Sequence, residues 1–146
     1  MILKLFTDGG SLNNPGQAAY AFIIYKDSLL VTSRAECIGI ATNNVAEYTG
    51  LIKGLEEIKR LLSKIKNLGL RIEVYSDSSL MVNQLNGLFK IKNAKIRELV
   101  FKIRLLEGEV KLPIIYIHIY REKNQLADSL VKKALNSRKN PLTSFV

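Results

Sequence analysis

Cysteine and histidine are scarce in this chain of 146 residues, which has one of each, Cys37 and His118. A single thiol cannot close an intramolecular disulfide, so we expect a reduced, cytoplasmic setting with Cys37 as a buried bystander. The same scarcity excludes a metal site built from thiolates or paired imidazoles. His118 falls inside a predicted strand, and we interpret it as a structural residue.

Long apolar runs are also missing from the sequence. No run approaches the roughly 18 residues of a membrane span, and the first residues lack the basic-then-apolar layout of a signal peptide. We therefore expect no association with a membrane. With 47% hydrophobic residues, the chain is long enough to bury the core of one domain.

Acidic side chains are outnumbered, with 13 Asp and Glu against 22 Lys and Arg and a net charge of +9. The excess lies in the second part, because residues 90–146 hold 13 basic and 5 acidic side chains, whereas residues 1–89 hold 9 and 8. Such a basic half is typical of proteins that bind polyanions, since neutralised phosphates release counterions. A lysine-rich solvated surface accounts for it equally well.

Hydrophobic periodicity predicts the element order βββαβααβα, which is an α/β fold with helices packed on a five-stranded mixed sheet. The first three strands are expected to form an antiparallel meander. Gly50 and Gly54 lie inside the first helical pattern and predict a face pressed close against the sheet. The last strand, 112–119, is nearly continuous in apolar residues, as a buried parallel strand would be. Residues 1–136 are predicted to form the domain, and residues 137–146 a C-terminal tail.

Asp8 stands at the predicted end of the first strand, directly before Gly9, Gly10 and Ser11. Glycines at a strand tip allow the backbone of another molecule to come close. Neither a helix start nor a hairpin of the usual length follows Asp8, so no capping role explains it.

Four carboxylates are predicted to meet at one edge of the sheet. Asp8 and Asp77 end central strands, whereas Glu47 and Asp128 fall in the first turns of helices. Unpaired carboxylates repel one another, so such a cluster normally implies a cation, and oxygen-only ligation indicates Mg²⁺ or Mn²⁺. Two such ions, about 3.5 to 4 Å apart, can activate water and stabilise a leaving oxygen in phosphodiester cleavage.

Three of these carboxylates have a purely structural explanation as well. Glu47 follows Asn44 by three residues and could close a capping box. Asp77 could cap the helix that follows it, and Asp128 could be an early-helix acid favoured by the helix dipole. Taken one at a time, these explanations are the simpler ones.

Four short motifs follow one another along the chain. They are Thr7-Asp8-Gly9-Gly10-Ser11 with Asn14-Pro15-Gly16, Thr42-Asn43-Asn44 with Ala46-Glu47, Ser76-Asp77-Ser78, and Arg121-Glu122-Lys123-Asn124 with Ala127-Asp128. Together they resemble the type 1 ribonuclease H family, and its compact bacterial and archaeal members most. The resemblance covers residues 1 to about 136 and implies the ribonuclease H-like fold.

The resemblance implies an endoribonuclease that cuts the RNA strand of an RNA/DNA hybrid and leaves 5′-phosphate and 3′-hydroxyl ends. Two divalent ions, Mg²⁺ or Mn²⁺, would be held by carboxylates. Asp8 would bridge both ions, and Asp128 would complete the site of the ion that activates water. Glu47 and Asp77 would hold the ion facing the leaving group. Arg121 occupies a loop where some members use a histidine, and could guide phosphate or proton traffic or be a solvated surface arginine.

The resemblance also implies contacts with the hybrid. The backbone of Gly9 to Ser11 would face the RNA minor groove, where 2′-hydroxyls distinguish RNA from DNA. Asn43 and Asn44 would read both strands, although helix capping explains them too, and Thr42 would seat a DNA phosphate. The whole predicted substrate-binding set is Gly9, Gly10, Ser11, Asn14, Thr42, Asn43, Asn44, Ser78, Gln84, Lys90 and Lys92.

The link that holds Lys90 and Lys92, and the position of Asn124, differ from what some family members carry. Lys90 and Lys92 lie in a short link where those members carry a long basic protrusion, so we expect a weaker non-specific grip on the hybrid. Asn124 stands where some relatives place an extra acid, and it would serve equally well as a helix N-cap.

The expected partner is an RNA/DNA hybrid, and the chain is expected to act as a monomer. Three alternatives stay open: a double-stranded RNA nuclease of the same fold, a transposase-like DNA nuclease, and a catalytically silent hybrid-binding module. The pair Asn43 and Asn44 and the glycine segment favour hybrid recognition over DNA cutting. The intact carboxylate set argues against a silent module, since a binder would not need it.

Overall fold

The element order βββαβααβα is confirmed by the computed structural model, which describes residues 1–65 and 69–139. The strands are β1 (Ile2–Ser11), β2 (Gly16–Lys26), β3 (Leu29–Ala41), β4 (Arg71–Ser76) and β5 (Ile114–His118). The helices are α1 (Asn43–Leu62), α2 (Ser79–Leu85), α3 (Ala94–Val110) and α4 (Gln125–Lys139), with a 3-10 turn at Arg121–Lys123. The start of the predicted tail thus belongs to α4, residues 140–146 lie outside the described residues, and the domain boundary stays a prediction.

The strands form one mixed sheet in the order β3-β2-β1-β4-β5. The pairs β1–β2 and β2–β3 are antiparallel, which confirms the meander, whereas β1–β4 and β4–β5 are parallel. The central position of β1 places its carboxyl end beside that of β4. Ligands of such sheets bind outside the carboxyl ends of parallel strands.

The predicted end of the first strand is wrong. β1 continues through Gly9 and Gly10 to Ser11, which pairs with Ala18 of β2 across a four-residue connection. Its parallel pairing with β4, however, stops at Thr7 opposite Ser76. A hairpin therefore does follow Asp8, but from this point β1 has a strand neighbour on one side only.

The core lies between the sheet and α1, as the glycine pair predicted. A Cβ atom on Gly54 would lie 2.6 Å from Leu5 Cδ1, and one on Gly50 would lie 2.9 Å from the carbonyl oxygen of Asp8. Helix α4 covers part of the opposite face, where Val131 and Leu135 pack with Ala19 and Ala21. The largest fully buried side chains are Tyr20, Tyr48, Phe22, Leu3, Leu5, Ile23, Ile24, Leu51, Leu55, Ile58, Ile72 and Met81.

Two expectations about burial are wrong, both at the edges of the sheet. β5 is parallel but is an edge strand, and its Ile115 is 48% exposed. Cys37 lies on the other edge strand, β3, where it is exposed, and its Sγ donates a hydrogen bond to the Ala134 carbonyl oxygen at 3.2 Å. Within the described residues, the helices include none with the length and apolarity needed to cross a membrane.

Candidate metal and nucleic-acid site

Three carboxylates meet where β1 and β4 end. One carboxylate oxygen from each of Asp8, Glu47 and Asp77 lies within 4.8 Å of the others. Asp8 and Glu47 are buried, with 6% and 8% of their surface exposed, whereas Asp77 is half-buried. Glu47 Oε2 is buried without a hydrogen-bond partner among the described residues. The arrangement leaves a deep carboxylate oxygen available to a ligand.

The strand register and one glycine bring these side chains together. Asp8 and Asp77 each follow the last parallel pair of β1 and β4, so they emerge side by side. Glu47 arrives from α1, whose backbone lies against Gly9: a Cβ on Gly9 would fall 2.3 Å from the carbonyl carbon of Ala46. On the side where a Cβ would stand, the backbone that approaches Gly9 belongs to α1, while Gly9 also lines the cleft. The contact of Gly9 with another molecule stays a prediction.

Burial and mutual repulsion raise the pKa values of the three clustered carboxyl groups. Burial, followed by the charge of Asp77, raises the pKa of Asp8 to about 7. Burial and the neighbouring Asp8 raise the pKa of Glu47 well above its ordinary value. Burial also raises the pKa of Asp77, opposed by a hydrogen bond from the Asn124 amide and by the charge of Arg121. A bound cation would remove the repulsion.

Capping does not explain Glu47 or Asp77. Thr42 caps α1, since its Oγ1 accepts a hydrogen bond from the Val45 amide at 3.1 Å. Ser78 caps α2 by accepting from the Met81 amide at 3.2 Å. The capping interpretations of Asn43, Asn44, Glu47 and Asp77 are therefore wrong, and these four side chains line the same cleft.

Asp128 lines this cleft from the first turn of α4, the dipole position that the sequence suggested. It is not one of the three carboxylates that cluster within 4.8 Å. Its Oδ2 accepts instead from the Lys132 ammonium at 2.9 Å, one helical turn along. Sequence reasoning missed Lys132, although the spacing of four residues between an acid and a lysine was a usable signal.

The turn between β5 and α4 provides a cation and an amide. Arg121 begins the 3-10 turn, is exposed and lines the cleft. Asn124 is 2% exposed and donates from Nδ2 to the Thr7 carbonyl oxygen at 2.9 Å. It directly precedes α4, and its carbonyl oxygen accepts a hydrogen bond from the Asp128 amide at 3.1 Å, so it occupies the predicted N-cap position. Its Oδ1, however, has no hydrogen-bond partner among the described residues and makes no side-chain cap. His118 is the exposed last residue of β5, and its interaction with Asp77 opposes the rise of that carboxyl's pKa.

Most of the predicted substrate contacts surround the carboxylates. The cleft is lined by Gly9, Gly10, Ser11, Asn43, Asn44 and Ser78. Asn43 joins its two walls, because its Oδ1 accepts from the amide and the hydroxyl of Ser11 at 2.9 and 3.0 Å. Its own amide donates to Asn14 Oδ1 at 3.0 Å. The glycine segment is thus held against the start of α1.

A second groove adjoins the cleft and shares Asn43 and Asn44 with it. Its lining includes the predicted residues Asn14, Thr42 and Gln84, and also Lys95, which sequence reasoning missed. Lys95 lies two residues after Asn93, the N-cap of α3. The sequence signal that could have identified it is a basic side chain in the first turn of a predicted helix. Lys90 and Lys92 are exposed in the link before α3 and line neither groove.

Comparison with known proteins agrees with this geometry. The family profile described as "Reverse transcriptase-like" matches residues 6–134. A ribonuclease H of Helicobacter pylori is 30% identical over 152 residues, which cover 97% of this chain and 98% of that relative. The chain belongs to the type 1 ribonuclease H family.

Solved structures of this ribonuclease H family share the fold, which confirms the predicted fold class. The crystal structure of LC11-RNase H1 in complex with an RNA/DNA hybrid has a TM-score of 0.87 at 34% identity, covering 93% of this chain and 98% of that one. A bifunctional protein of Mycobacterium tuberculosis is 34% identical over 139 residues. The match covers 94% of this ribonuclease H-family chain but only 36% of the length of the mycobacterial protein.

Proposed function

We propose that this chain is a metal-dependent endoribonuclease that hydrolyses the RNA strand of RNA/DNA hybrids. The observation that carries the proposal is the buried cluster of Asp8, Glu47 and Asp77 in a cleft whose walls include Asn43 and Asn44. LC11-RNase H1, a relative of the same fold, was crystallised with an RNA/DNA hybrid. Family membership and the cleft together support a hybrid as the substrate.

The cluster fits hard divalent cations. All its donors are carboxylate oxygens, Glu47 Oε2 lacks a partner among the described residues, and burial followed by mutual repulsion raises the pKa values of Asp8 and Glu47. Asp8, Glu47, Asp77 and Asp128 would hold two ions, either Mg²⁺ or Mn²⁺. When bound, the ions would supply a water of lowered pKa and stabilise charge on the leaving 3′ oxygen, which gives 5′-phosphate and 3′-hydroxyl ends.

The protein's own side chains would bind and orient the hybrid. Gly10 and Ser11 line the cleft, where they would face the RNA strand. Arg121 would draw a phosphate toward Asp77 through its charge. Asn124 would keep the end of β1 in place through its hydrogen bond to Thr7. The second groove, with Thr42 and Lys95, would hold the DNA backbone.

The test is cleavage of an end-labelled RNA/DNA hybrid in Mg²⁺ or Mn²⁺. Asp8→Asn and Asp77→Asn should each reduce the rate at least about a hundredfold, because each removes a charged ligand. Asp27→Asn is the matched control, since it removes the same charge from the exposed turn between β2 and β3. Full activity of either cleft variant would refute the proposal.

The remaining expectations are part of the same proposal. A substrate panel of hybrid, double-stranded RNA and double-stranded DNA separates the hybrid nuclease from the other nucleases. Binding without cleavage in both metals would indicate a silent hybrid-binding module. We also propose that the chain acts as a monomer, and in the cytoplasm, where the Cys37 thiol would stay reduced.

A further inference from the structure

Asp128 differs from the other carboxylates of the cleft in already having a cation. Its Oδ2 lies 2.9 Å from Lys132 Nζ, and the two residues are one turn apart on α4. Among the residues that the structure describes, the salt bridges include none to Asp8, Glu47 or Asp77. Among the described residues, Asp128 is therefore the one carboxylate of the four that forms a salt bridge.

Asp128 lies in the cleft but outside the cluster of the other three carboxylates. Asp128 lines the cleft and is near enough to Asp8 and Asp77 for its charge to raise the pKa of both. It nevertheless stays outside the group whose oxygens lie within 4.8 Å of one another. Lys132 lines the same cleft, so its ammonium group stands where it can hold Asp128 apart from the cluster.

We propose that Lys132 is a positioning residue that competes with a divalent cation for the carboxylate of Asp128. The cation that uses Asp128 would bind only when this ion pair opens, whereas a cation held by Asp8, Glu47 and Asp77 meets no such competitor. The position formed by Asp8, Glu47 and Asp77 would then bind a cation first, and the position that uses Asp128 would bind a cation with lower affinity. The inference rests on the proposed function only in taking this cleft as a cation site, and it does not require hybrid cleavage.

The exposure of the pair makes the exchange feasible. The Lys132 side chain is 72% exposed and that of Asp128 is 29% exposed, so water solvates the ammonium group when it leaves. Exposed ion pairs contribute little to stability, because solvent screens the attraction and the long side chain loses freedom. Such a pair can delay a divalent ion without blocking it.

The experiment measures Mn²⁺ binding to the purified protein without nucleic acid, from the electron paramagnetic resonance signal of the free ion. Lys132→Gln should tighten the weaker Mn²⁺ site about two- to fivefold, the range expected on removing an exposed ion pair. Lys133→Gln is the matched control, because it removes the same charge from the next, also exposed, residue of α4. The control should shift the affinity less than Lys132→Gln does.

Repeating both substitutions in an Asp128→Asn background isolates the pair. There, Lys132→Gln and Lys133→Gln should change Mn²⁺ affinity equally, since the carboxylate for which Lys132 competes is gone. The inference is overturned if the two variants match in the wild-type background, or if their difference persists with Asp128→Asn. Absence of hybrid cleavage alongside the expected affinities would refute the proposed function alone. Circular dichroism spectra check that the variants are folded.

Discussion

A Cβ atom on Gly9 would lie 2.3 Å from the carbonyl carbon of Ala46. Real Cβ atoms do not approach that closely, and a backbone carbonyl cannot move aside as the end of a side chain can. β1 and α1 therefore touch at this point only because residue 9 has no side chain. The next residue of α1 is Glu47, so the same contact determines how close the Glu47 carboxylate lies to Asp8.

Gly9→Ala should destabilise the protein and weaken the site together. We expect a loss of about 2–3 kcal/mol in the free energy of unfolding, because the added methyl group overpacks the contact between β1 and α1. Urea denaturation measures the loss, and Mn²⁺ affinity should fall with it. Gly108→Ala is the control: it lies in α3 with no atom within 4 Å of the added Cβ, and it should stabilise the protein by about 0.5–1 kcal/mol. Wild-type stability of Gly9→Ala would contradict the packing argument.

The metal-free protein should lose stability as pH rises toward neutrality. The pKa of Asp8 is about 7 in the folded state and 3.8 ordinarily, so between these values the folded state holds a proton that the unfolded state has released. The resulting stabilisation is complete below about pH 4 and is lost as pH rises through about 7. Asp8→Asn should therefore increase the free energy of unfolding by about 1–3 kcal/mol at pH 8 and change it little at pH 4.

Thermal and urea unfolding in a chelating buffer, at pH 4, 6 and 8, measure this dependence. Asp27→Asn serves as the control, because that exposed carboxylate lies outside the cleft. At pH 8, Mg²⁺ should increase the free energy of unfolding of the wild type more than that of Asp8→Asn, since a cation offsets the charge of the ionised Asp8 carboxylate. Equal pH profiles for Asp8→Asn and the wild type would show that burial of Asp8 carries no such cost.

Lys95 should contribute more than Lys90 or Lys92 to the salt dependence of hybrid binding. Lys95 lines the second groove, whereas the two earlier lysines line neither groove. Lys95→Gln should reduce the slope of log affinity against log salt concentration by about 1, the value for one lost phosphate contact. Binding is measured in Ca²⁺, with Lys102→Gln, an exposed change further along α3, as the control. A slope that falls for Lys90→Gln and not for Lys95→Gln would reverse the assignment.

The sequence predicted the helices and the parallel centre of the sheet well, because their hydrophobic periods are strong. It failed where tertiary pairing overrides local preference. Gly9 and Gly10 are poor strand residues, yet β1 runs through both because β2 supplies a continuous partner. Cys37 and Ile115 are exposed because their strands lie at the edges of the sheet, and hydrophobic periodicity contains no information about the order of the strands.

In the candidate site, too, some residues could be predicted from the sequence and others could not. The convergence of Asp8, Glu47 and Asp77 followed from strand ends and motifs, and the structure brings them within 4.8 Å. Lys132 and Lys95 were not predicted as site residues, because the role of a lysine on a helix depends on which surface that helix borders. Both depend on how α4 and α3 are placed, which helix patterns alone do not specify.

The distance between α1 and the sheet depends on two residues that carry no functional group. A methyl group on Gly50 would fall 2.9 Å from the Asp8 carbonyl oxygen, and one on Gly54 would fall 2.6 Å from Leu5 Cδ1. The group on Gly50 would meet backbone and push the helix axis outward, and Glu47, one turn before Gly50, would move with it. The gap between the carboxylates, and hence the radius of the ion they accept, is therefore a packing property. Selection among ions of similar chemistry would be decided in the hydrophobic core.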